Sequence, residues 1–131
     1  EAKTEALGIS KSVHFYPPVK DIQKKYKEAA IYVMTSRFEG FGMVLIEAMS
    51  FGVPCVAFDC PHGPADIITN KEDGFLIENG NINSFVAKLI ELIENEDMRK
   101  EMGENAKVNV KRYLKEEIMG LWDDLFKGLI K

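Results

Sequence analysis

Three short apolar runs constrain the fold of this chain more than any other feature. They are residues 31–35 (IYVMT), 53–58 (VPCVAF) and 74–77 (GFLI). Such runs are typical of strands in a parallel sheet, because a sheet covered on both faces lacks the alternation of apolar and polar residues. Longer stretches with helical periodicity separate and follow them. The sequence thus predicts an α/β domain with a doubly wound parallel β-sheet, helices on both faces and extra C-terminal helices.

Local signals predict the other elements in the first half of the chain. Residues 12–16 (SVHFY) favour a strand, which the two following prolines end. Residues 21–30 and 43–51 favour helices, and Gly52 ends the second of them. Residues 1–7 also have the pattern of a helix. A doubly wound domain rarely opens in the middle of an element, so this helix predicts that further chain precedes it.

From residue 82 onward, the apolar residues follow a helical period. Asn83 or Ser84 is the candidate N-cap of the first helix. The apolar stripes of the three helices predicted there are Phe85, Leu89, Leu92 and Ile93, then Met98, Met102, Ala106 and Val110, and last Leu121, Trp122, Leu125, Phe126, Leu129 and Ile130. We expect part of the last stripe to lack cover and to promote self-association.

Composition excludes several classes of protein. The chain has 131 residues, of which 46% are hydrophobic and 29% charged. These values fit one globular domain and exclude a disordered tail, a collagen-like chain and a disulfide-stabilised miniprotein. No run approaches the roughly 20 apolar residues of a membrane span, and no signal-peptide pattern is present. A net charge of -4 argues against a nucleic-acid partner.

Cysteine and histidine are scarce. Cys55 and Cys60 lie inside and just after an apolar run, which favours two reduced thiols. His14 and His62 could complete a set of four ligands, but no C-x-x-C or H-x-x-x-H spacing exists. We therefore expect no metal site. Neither histidine has an obvious local partner, which also argues against a catalytic Cys/His or Ser/His/Asp group.

The segment 36–47 (SRFEGFGMVLIE) is the best candidate for a ligand site. It follows a predicted buried strand and begins a helix, and ligands of open α/β sheets bind at the carboxyl ends of strands. A helix N-terminus offers unpaired N–H groups and a partial positive charge, which attract phosphate. Gly40 and Gly42 have no Cβ, so a ligand can approach their backbone. The pattern predicts an anion, and a diphosphate in particular.

Two familiar glycine motifs do not fit this segment. The G-x-G-x-x-G motif requires glycine at position 45, which is Leu45, and the G-K-[ST] of a Walker A loop is absent. An NAD-dependent oxidoreductase and an ATP-binding P-loop are therefore disfavoured. A stand-alone α/β module that binds nucleotides or partners without catalysis stays open as the alternative to an enzyme.

Glu47 is the only charged residue between Glu39 and Asp59. Burial of a carboxylate without partners is costly, so its place among apolar residues needs a reason. One interpretation is that it caps a backbone N–H or faces solvent at the helix edge. The other is that it binds ligand hydroxyls, since it lies roughly 6 Å along the axis from a diphosphate at the helix start. Glu39 would then face the group that the diphosphate carries.

Glu39 and Glu47 form an E-x7-E pair within the segment 36–57 (SRFEGFGMVLIEAMSFGVPCVA). This segment closely resembles the donor-binding half of retaining glycosyltransferases of the GT-B fold, the glycosyl transferases group 1 family (family 4). The likeness includes VHFYPPV and YKEAAIYVMTS before it, and DCPHGPADII and DGFLIENGN after it. It implies that residues 1–131 form one Rossmann-like domain of a two-domain enzyme, whose N-terminal acceptor domain is missing here.

The resemblance also implies roles for single residues. Glu47 would bind the ribose hydroxyls of a sugar nucleotide, and Glu39, the catalytic candidate, would contact the donor sugar near the reacting carbon. The diphosphate and the donor sugar would be held by the backbone around Gly40, Phe41, Gly42, Met43 and Val44. Family members of this kind need no metal, so no cofactor is expected beside the sugar-nucleotide substrate.

The implied function of the intact protein is transfer of a hexose from a UDP- or GDP-sugar to a saccharide or lipid-linked acceptor. The anomeric configuration would be retained, and the lack of an obvious nucleophile favours departure and attack on one face. We expect a cytoplasmic protein, peripheral at the membrane face, that acts in polysaccharide biosynthesis. The family's basic residues that grip the diphosphate precede this chain, and Asp66 stands where relatives often have Glu. Arg37 and His62 are expected to be ordinary loop residues.

Overall fold

A computed structural model describes residues 1–130 and contains one parallel sheet of three strands. The strands are β1 (Tyr32–Met34), β2 (Cys55–Asp59) and β3 (Gly74–Glu78), and they lie side by side in chain order. Each coincides with one of the three apolar runs, so the predicted parallel strands are confirmed.

The described part of the chain also contains seven helices. They are α1 (Ala2–Ala6), α2 (Ile22–Glu28), α3 (Met43–Ser50), α4 (Pro64–Ile67), α5 (Ile82–Glu94), α6 (Glu96–Asn109) and α7 (Lys115–Leu129). Two short 3₁₀ segments, Ser10–Ser12 and Val110–Tyr113, connect them. The predicted helices at the start, the centre and the C-terminal end of the chain are therefore confirmed.

Both faces of the sheet are covered at β2 and β3, as the unbroken apolar strands predict. At β1, where the sequence also predicts a buried strand, only Met34 is buried and Val33 is exposed. Successive side chains of a strand point to opposite faces. Cys55 and Ala57 of β2 pack in the same core cluster as α3, whereas Val56 and Phe58 pack with α5. Every one of these four side chains is buried. The cluster around Cys55 and Ala57 fixes α3 against the sheet, so the N-terminus of α3 lies beside the carboxyl end of β1.

Two local predictions were wrong. Residues 12–16 form no strand: after the 3₁₀ turn, Val13 is extended but pairs with no strand in residues 1–130. A β-favouring sequence forms a strand only where a neighbour supplies the ladder. The N-cap of α5 is Asn81, whose side chain accepts a hydrogen bond from the Ser84 amide at 3.1 Å. The cap lies earlier than predicted because the helix already begins at Ile82.

Helix α7 differs from the other long helices because none of its residues is buried. Its apolar stripe is exposed, with Trp122 stacked on Phe126 at a ring distance of 5.7 Å. Ile118, Leu121, Trp122 and Leu125 line a surface pocket of about 260 Å³. The expected lack of cover is confirmed, whereas self-association stays a prediction. No helix within residues 1–130 is both long and apolar enough to cross a membrane.

Candidate functional site

The loops that follow β1 and β2 meet at the carboxyl edge of the sheet. The backbone N–H of Glu39 donates to the Pro61 carbonyl at 3.4 Å. The rings of Phe38 and His62 meet edge to face, with centroids 5.6 Å apart. His62 adopts a left-handed conformation with φ of 67° and is exposed. These contacts join the candidate ligand loop, residues 38–42, to the loop before α4.

The first turn of α3 faces solvent, although its N-cap Gly42 is buried against Leu45 and Ile67. Gly42 has a φ of 91°, which residues with a Cβ rarely adopt. Met43 and Val44 follow in the first turn and are exposed. The first amides of a helix have no acceptor within the helix, so this turn presents N–H groups and a partial positive charge to an incoming anion.

Phe41 is held by a very close approach of the loop before α4. A Cβ built on Gly63 would lie 1.8 Å from the Phe41 carbonyl oxygen, so only glycine fits there. The φ of Gly63 is 100°, which makes glycine the favoured residue for a second reason. Gly40 is different, since a Cβ there would meet nothing within 4 Å. The protein fold requires Gly63, while the space around Gly40 is free for a ligand.

Glu47 is exposed on α3, and its carboxylate has a buried hydrogen-bond partner. The Tyr26 hydroxyl of α2 donates to Glu47 Oε2 at 2.9 Å. Burial raises the pKa of Tyr26, and the hydrogen bond to Glu47 adds to this effect, so the phenol stays a proton donor. Glu47 thus lies at the solvent-facing edge of the helix, as one interpretation predicts. The other interpretation, that it binds ligand hydroxyls, stays a prediction.

A pocket of about 290 Å³ lies between α2 and α3 beside this carboxylate. Glu47 is its only charged lining residue. The other lining residues are Ile22, Gln23, Tyr26, Ser50 and Phe51. The Tyr26 ring stacks on Phe51 with centroids 5.9 Å apart, which gives the pocket an aromatic wall. Its size and its mixed lining suit a small polar ring or sugar.

The negative charges of the two glutamates of the E-x7-E pair both reach Tyr32 of β1. Burial is the main cause of the raised pKa of Tyr32, and the negative charges of Glu39 and Glu47 both add to it. Both carboxylates therefore act on the same phenol. Glu39 is half-buried in the loop, and Glu47 lies beyond the helix start. The first turn of α3 separates them along the chain, as the sequence predicts.

The other sequence candidates are more ordinary. Arg37 is exposed, and Cys55 and Cys60 are free buried thiols. Among the described residues, no three His, Cys, Asp or Glu side chains converge to form a metal-binding cluster. The sequence did not identify Tyr26 as a site residue, because its place on the apolar face of α2 indicates packing alone. The one signal in the sequence was its hydroxyl group, because a buried tyrosine usually forms a hydrogen bond through that group.

Comparison with known proteins assigns the chain to a family. The model of the family described as glycosyl transferases group 1 matches residues 1–109. The amylovoran biosynthesis glycosyltransferase AmsD of Erwinia amylovora is 37% identical over 123 residues, which are 94% of this chain and 34% of AmsD.

Solved structures show the same fold. The crystal structure of a mutant of TarM from S. aureus, in complex with fondaparinux, alpha-GlcNAc-glycerol and UDP, matches with a TM-score of 0.88 and 36% identity. The match covers 95% of this chain and 26% of TarM. The lipopolysaccharide outer core galactosyltransferase WaaB in its apo form has a TM-score of 0.87 and 31% identity, over 98% of this chain and 37% of WaaB.

This chain therefore spans only about a quarter to a third of the length of these relatives. The family model covers most of the chain, and the TarM and WaaB folds cover nearly all of it. The chain belongs to the glycosyl transferases group 1 family, and it has the Rossmann-like architecture of the C-terminal domain in the GT-B fold.

Proposed function

We propose that this chain is the donor-binding domain of a retaining glycosyltransferase that moves a hexose from a UDP- or GDP-sugar to a saccharide or lipid-linked acceptor. One observation carries the proposal: the exposed first turn of α3 lies next to Glu47, whose carboxylate is held by the buried Tyr26. A TarM structure that matches this chain contains UDP, which supports a uridine nucleotide as the donor.

In this proposal the diphosphate lies at the first turn of α3. The N–H groups of Met43 and Val44 and the partial positive charge of the helix end stabilise its negative charge. The ribose lies one turn further along, where Glu47 accepts hydrogen bonds from its hydroxyls.

The chemical step follows from the same geometry. The bond between the sugar and the diphosphate breaks, and negative charge grows on the leaving phosphate oxygen. Amides fixed in advance at a helix N-terminus stabilise that charge without a metal ion. Glu39 lies on the other side of Gly42 and contacts the donor sugar near the reacting carbon. The acceptor hydroxyl attacks the face from which the diphosphate leaves, which retains the configuration, and its proton passes to the departing phosphate oxygen.

A nucleotide titration followed by amide NMR tests the donor site. UDP or GDP should shift the amides of residues 41–47. Glu47→Gln should abolish these shifts or lower the affinity at least about tenfold, because a charged acceptor of two hydroxyls is lost. Glu94→Gln is the matched control, since Glu94 is an exposed glutamate on α5. If NAD shifts these amides and neither UDP nor GDP does, the proposal is wrong.

Two further measurements separate the parts of the proposal. The affinity for UDP should be the same with EDTA as with Mg²⁺, and a large gain with Mg²⁺ would contradict stabilisation by the helix end alone. Glu39→Gln should leave the affinity for UDP unchanged and weaken binding of a UDP-hexose. Equal effects on both ligands would favour the alternative of a nucleotide-binding module without catalysis, in which Glu39 has no special role.

A further inference from the structure

The segment that joins α6 to α7 touches the candidate ligand loop. Its position is fixed by a buried carboxylate: Asp73 is fully buried and accepts hydrogen bonds from the Thr69 amide at 2.8 Å and from Asn109 Nδ2 at 3.0 Å. Asn109 is the last residue of α6. The 3₁₀ segment Val110–Tyr113 therefore starts from an anchored residue.

This segment supplies the hydrogen bonds that the end of α4 lacks. The last carbonyls of a helix have no donor within the helix. The Tyr113 hydroxyl donates to the Asp66 carbonyl at 2.5 Å, and Arg112 Nη2 donates to the Ile67 carbonyl at 2.5 Å. The Arg112 guanidinium also lies 4.9 Å from the centre of the Tyr113 ring. These contacts hold the Tyr113 ring in one place.

The held ring meets Phe41 in the candidate ligand loop. The rings of Phe41 and Tyr113 are 5.7 Å apart and nearly perpendicular. On its other side, the Phe41 carbonyl lies against Gly63, three residues before Asp66. Phe41, Gly63, Asp66 and Tyr113 thus form a closed ring of contacts. The loop is supported by a residue more than 70 positions away in the chain.

We propose that Tyr113 is a positioning residue for the diphosphate site. Its ring holds Phe41, and through Phe41 it sets the backbone of Phe41 and Gly42 in front of α3. Tyr113 touches no ligand in this proposal. The inference rests on the proposed function only for the identity of the ligand; the support of the loop by Tyr113 does not depend on it.

Two variants of the full chain test this inference. Tyr113→Leu removes both the ring and the hydroxyl, whereas Tyr113→Phe keeps the ring against Phe41 and removes only the bond to Asp66. Phe126→Leu is the matched control, since Phe126 is an exposed aromatic residue on α7. Circular dichroism establishes that each variant is folded. UDP and uridine are then titrated separately and followed by amide NMR.

Tyr113→Leu should lower the affinity for UDP about fivefold, because the variant loses the aromatic contact that holds Phe41 at the diphosphate site. The affinity for uridine should not change, because uridine has no diphosphate. Tyr113→Phe should restore most of the affinity, and Phe126→Leu should match the original chain. A folded Tyr113→Leu with unchanged affinity for UDP, or equal losses for both ligands, would overturn the inference.

The spectra without ligand separate this inference from the proposed function. In Tyr113→Leu, the amides of Phe41 and Gly42 should shift even if the original chain binds neither UDP nor GDP. If the shifts stay within residues near 113 and α4, Tyr113 does not position the loop, and this holds even where UDP binds normally.

Discussion

Helices α3 and α7 are both rich in apolar residues, but the protein uses them in opposite ways. On α3, Leu45, Ala48 and Met49 are fully buried. On α7, which is almost twice as long, every residue is at least partly exposed. Apolar composition alone therefore does not say whether a helix belongs to the core. What matters is whether the sheet and its neighbouring helices leave a face for it.

The difference bears directly on the candidate site. The ligand loop is attached to the helix with the most completely buried face, so its first turn is fixed before any ligand arrives. Such preorganisation reduces the cost of binding. Helix α7 has no such support and contacts mainly the 3₁₀ segment before it. Its exposed stripe is the surface that we expect to self-associate, whereas α3 is a rigid base for the candidate site.

The most direct test of this difference is to replace a leucine by alanine on α3 and on α7. Leu45→Ala should lower the free energy of unfolding by about 3–5 kcal/mol, because it leaves a cavity in a fully packed site. Leu125→Ala should change it by less than about 0.5 kcal/mol, because half of that side chain is already exposed. Urea unfolding followed by circular dichroism measures both. Equal losses would mean that α7 is packed in solution.

Two glycine substitutions, one on a packed helix and one on α7, should change the stability of the protein in opposite directions. A Cβ on Gly103 of α6 would lie 2.3 Å from the Gly52 carbonyl oxygen, so Gly103→Ala should destabilise the protein by about 2 kcal/mol or more. A Cβ on Gly120 of α7 would meet nothing within 4 Å. Gly120→Ala should stabilise it by up to about 1 kcal/mol, since alanine favours the helix. Thermal unfolding of the two variants gives the signs; destabilisation by Gly120→Ala would contradict the open position of α7.

A smaller effect is expected at the hydrogen bond between α2 and α3. Tyr26→Phe should lower the affinity for UDP about fivefold, because Glu47 loses the donor that orients it. The affinity for 2′,3′-dideoxy-UDP should not change, since that ligand lacks the hydroxyls that Glu47 binds. Isothermal titration calorimetry with both ligands measures the split. An equal loss for the two would assign Tyr26 a role in packing only.

The smallest change at ordinary concentrations is expected from α7. The sedimentation coefficient should be constant near about 10 µM and rise only at several hundred micromolar, because one exposed helix face offers less area than a stable dimer needs. Leu121→Ser together with Leu125→Ser should remove the rise. A strictly monomeric profile for the original chain at high concentration would contradict self-association.

The sequence predicts best the features that depend on neighbours along the chain. The strands of the sheet and the helix after Gly42 follow from unbroken apolar runs and from helical periodicity. The structure of residues 12–16 could not be predicted in this way, because a strand needs a neighbouring strand and no local pattern shows whether one is present. Glu47 could have been placed at the helix edge, since Leu45, Ala48 and Met49 already define the buried face.

Contacts between distant residues could not be predicted in this way. Tyr26 and Glu47 are 21 positions apart, and Asp66 and Tyr113 are 47 apart. Each of the two tyrosines has the pattern of a packing residue in its own helix or turn. Only the fold shows that one hydroxyl orients a carboxylate and that the other fixes the ring beside the ligand loop.

Gly40 and Gly63 lie at the same edge of the sheet, yet the space around them predicts different tolerance of mutation. Consider a library of all single substitutions that is selected first for folding and then for nucleotide binding. No substitution of Gly63 should pass the first round, because the Cβ of any other residue would clash with the Phe41 carbonyl oxygen. Gly40 should pass that round freely and lose its variants only in the second. The round in which a glycine becomes fixed would then tell a structural position from one that a ligand approaches.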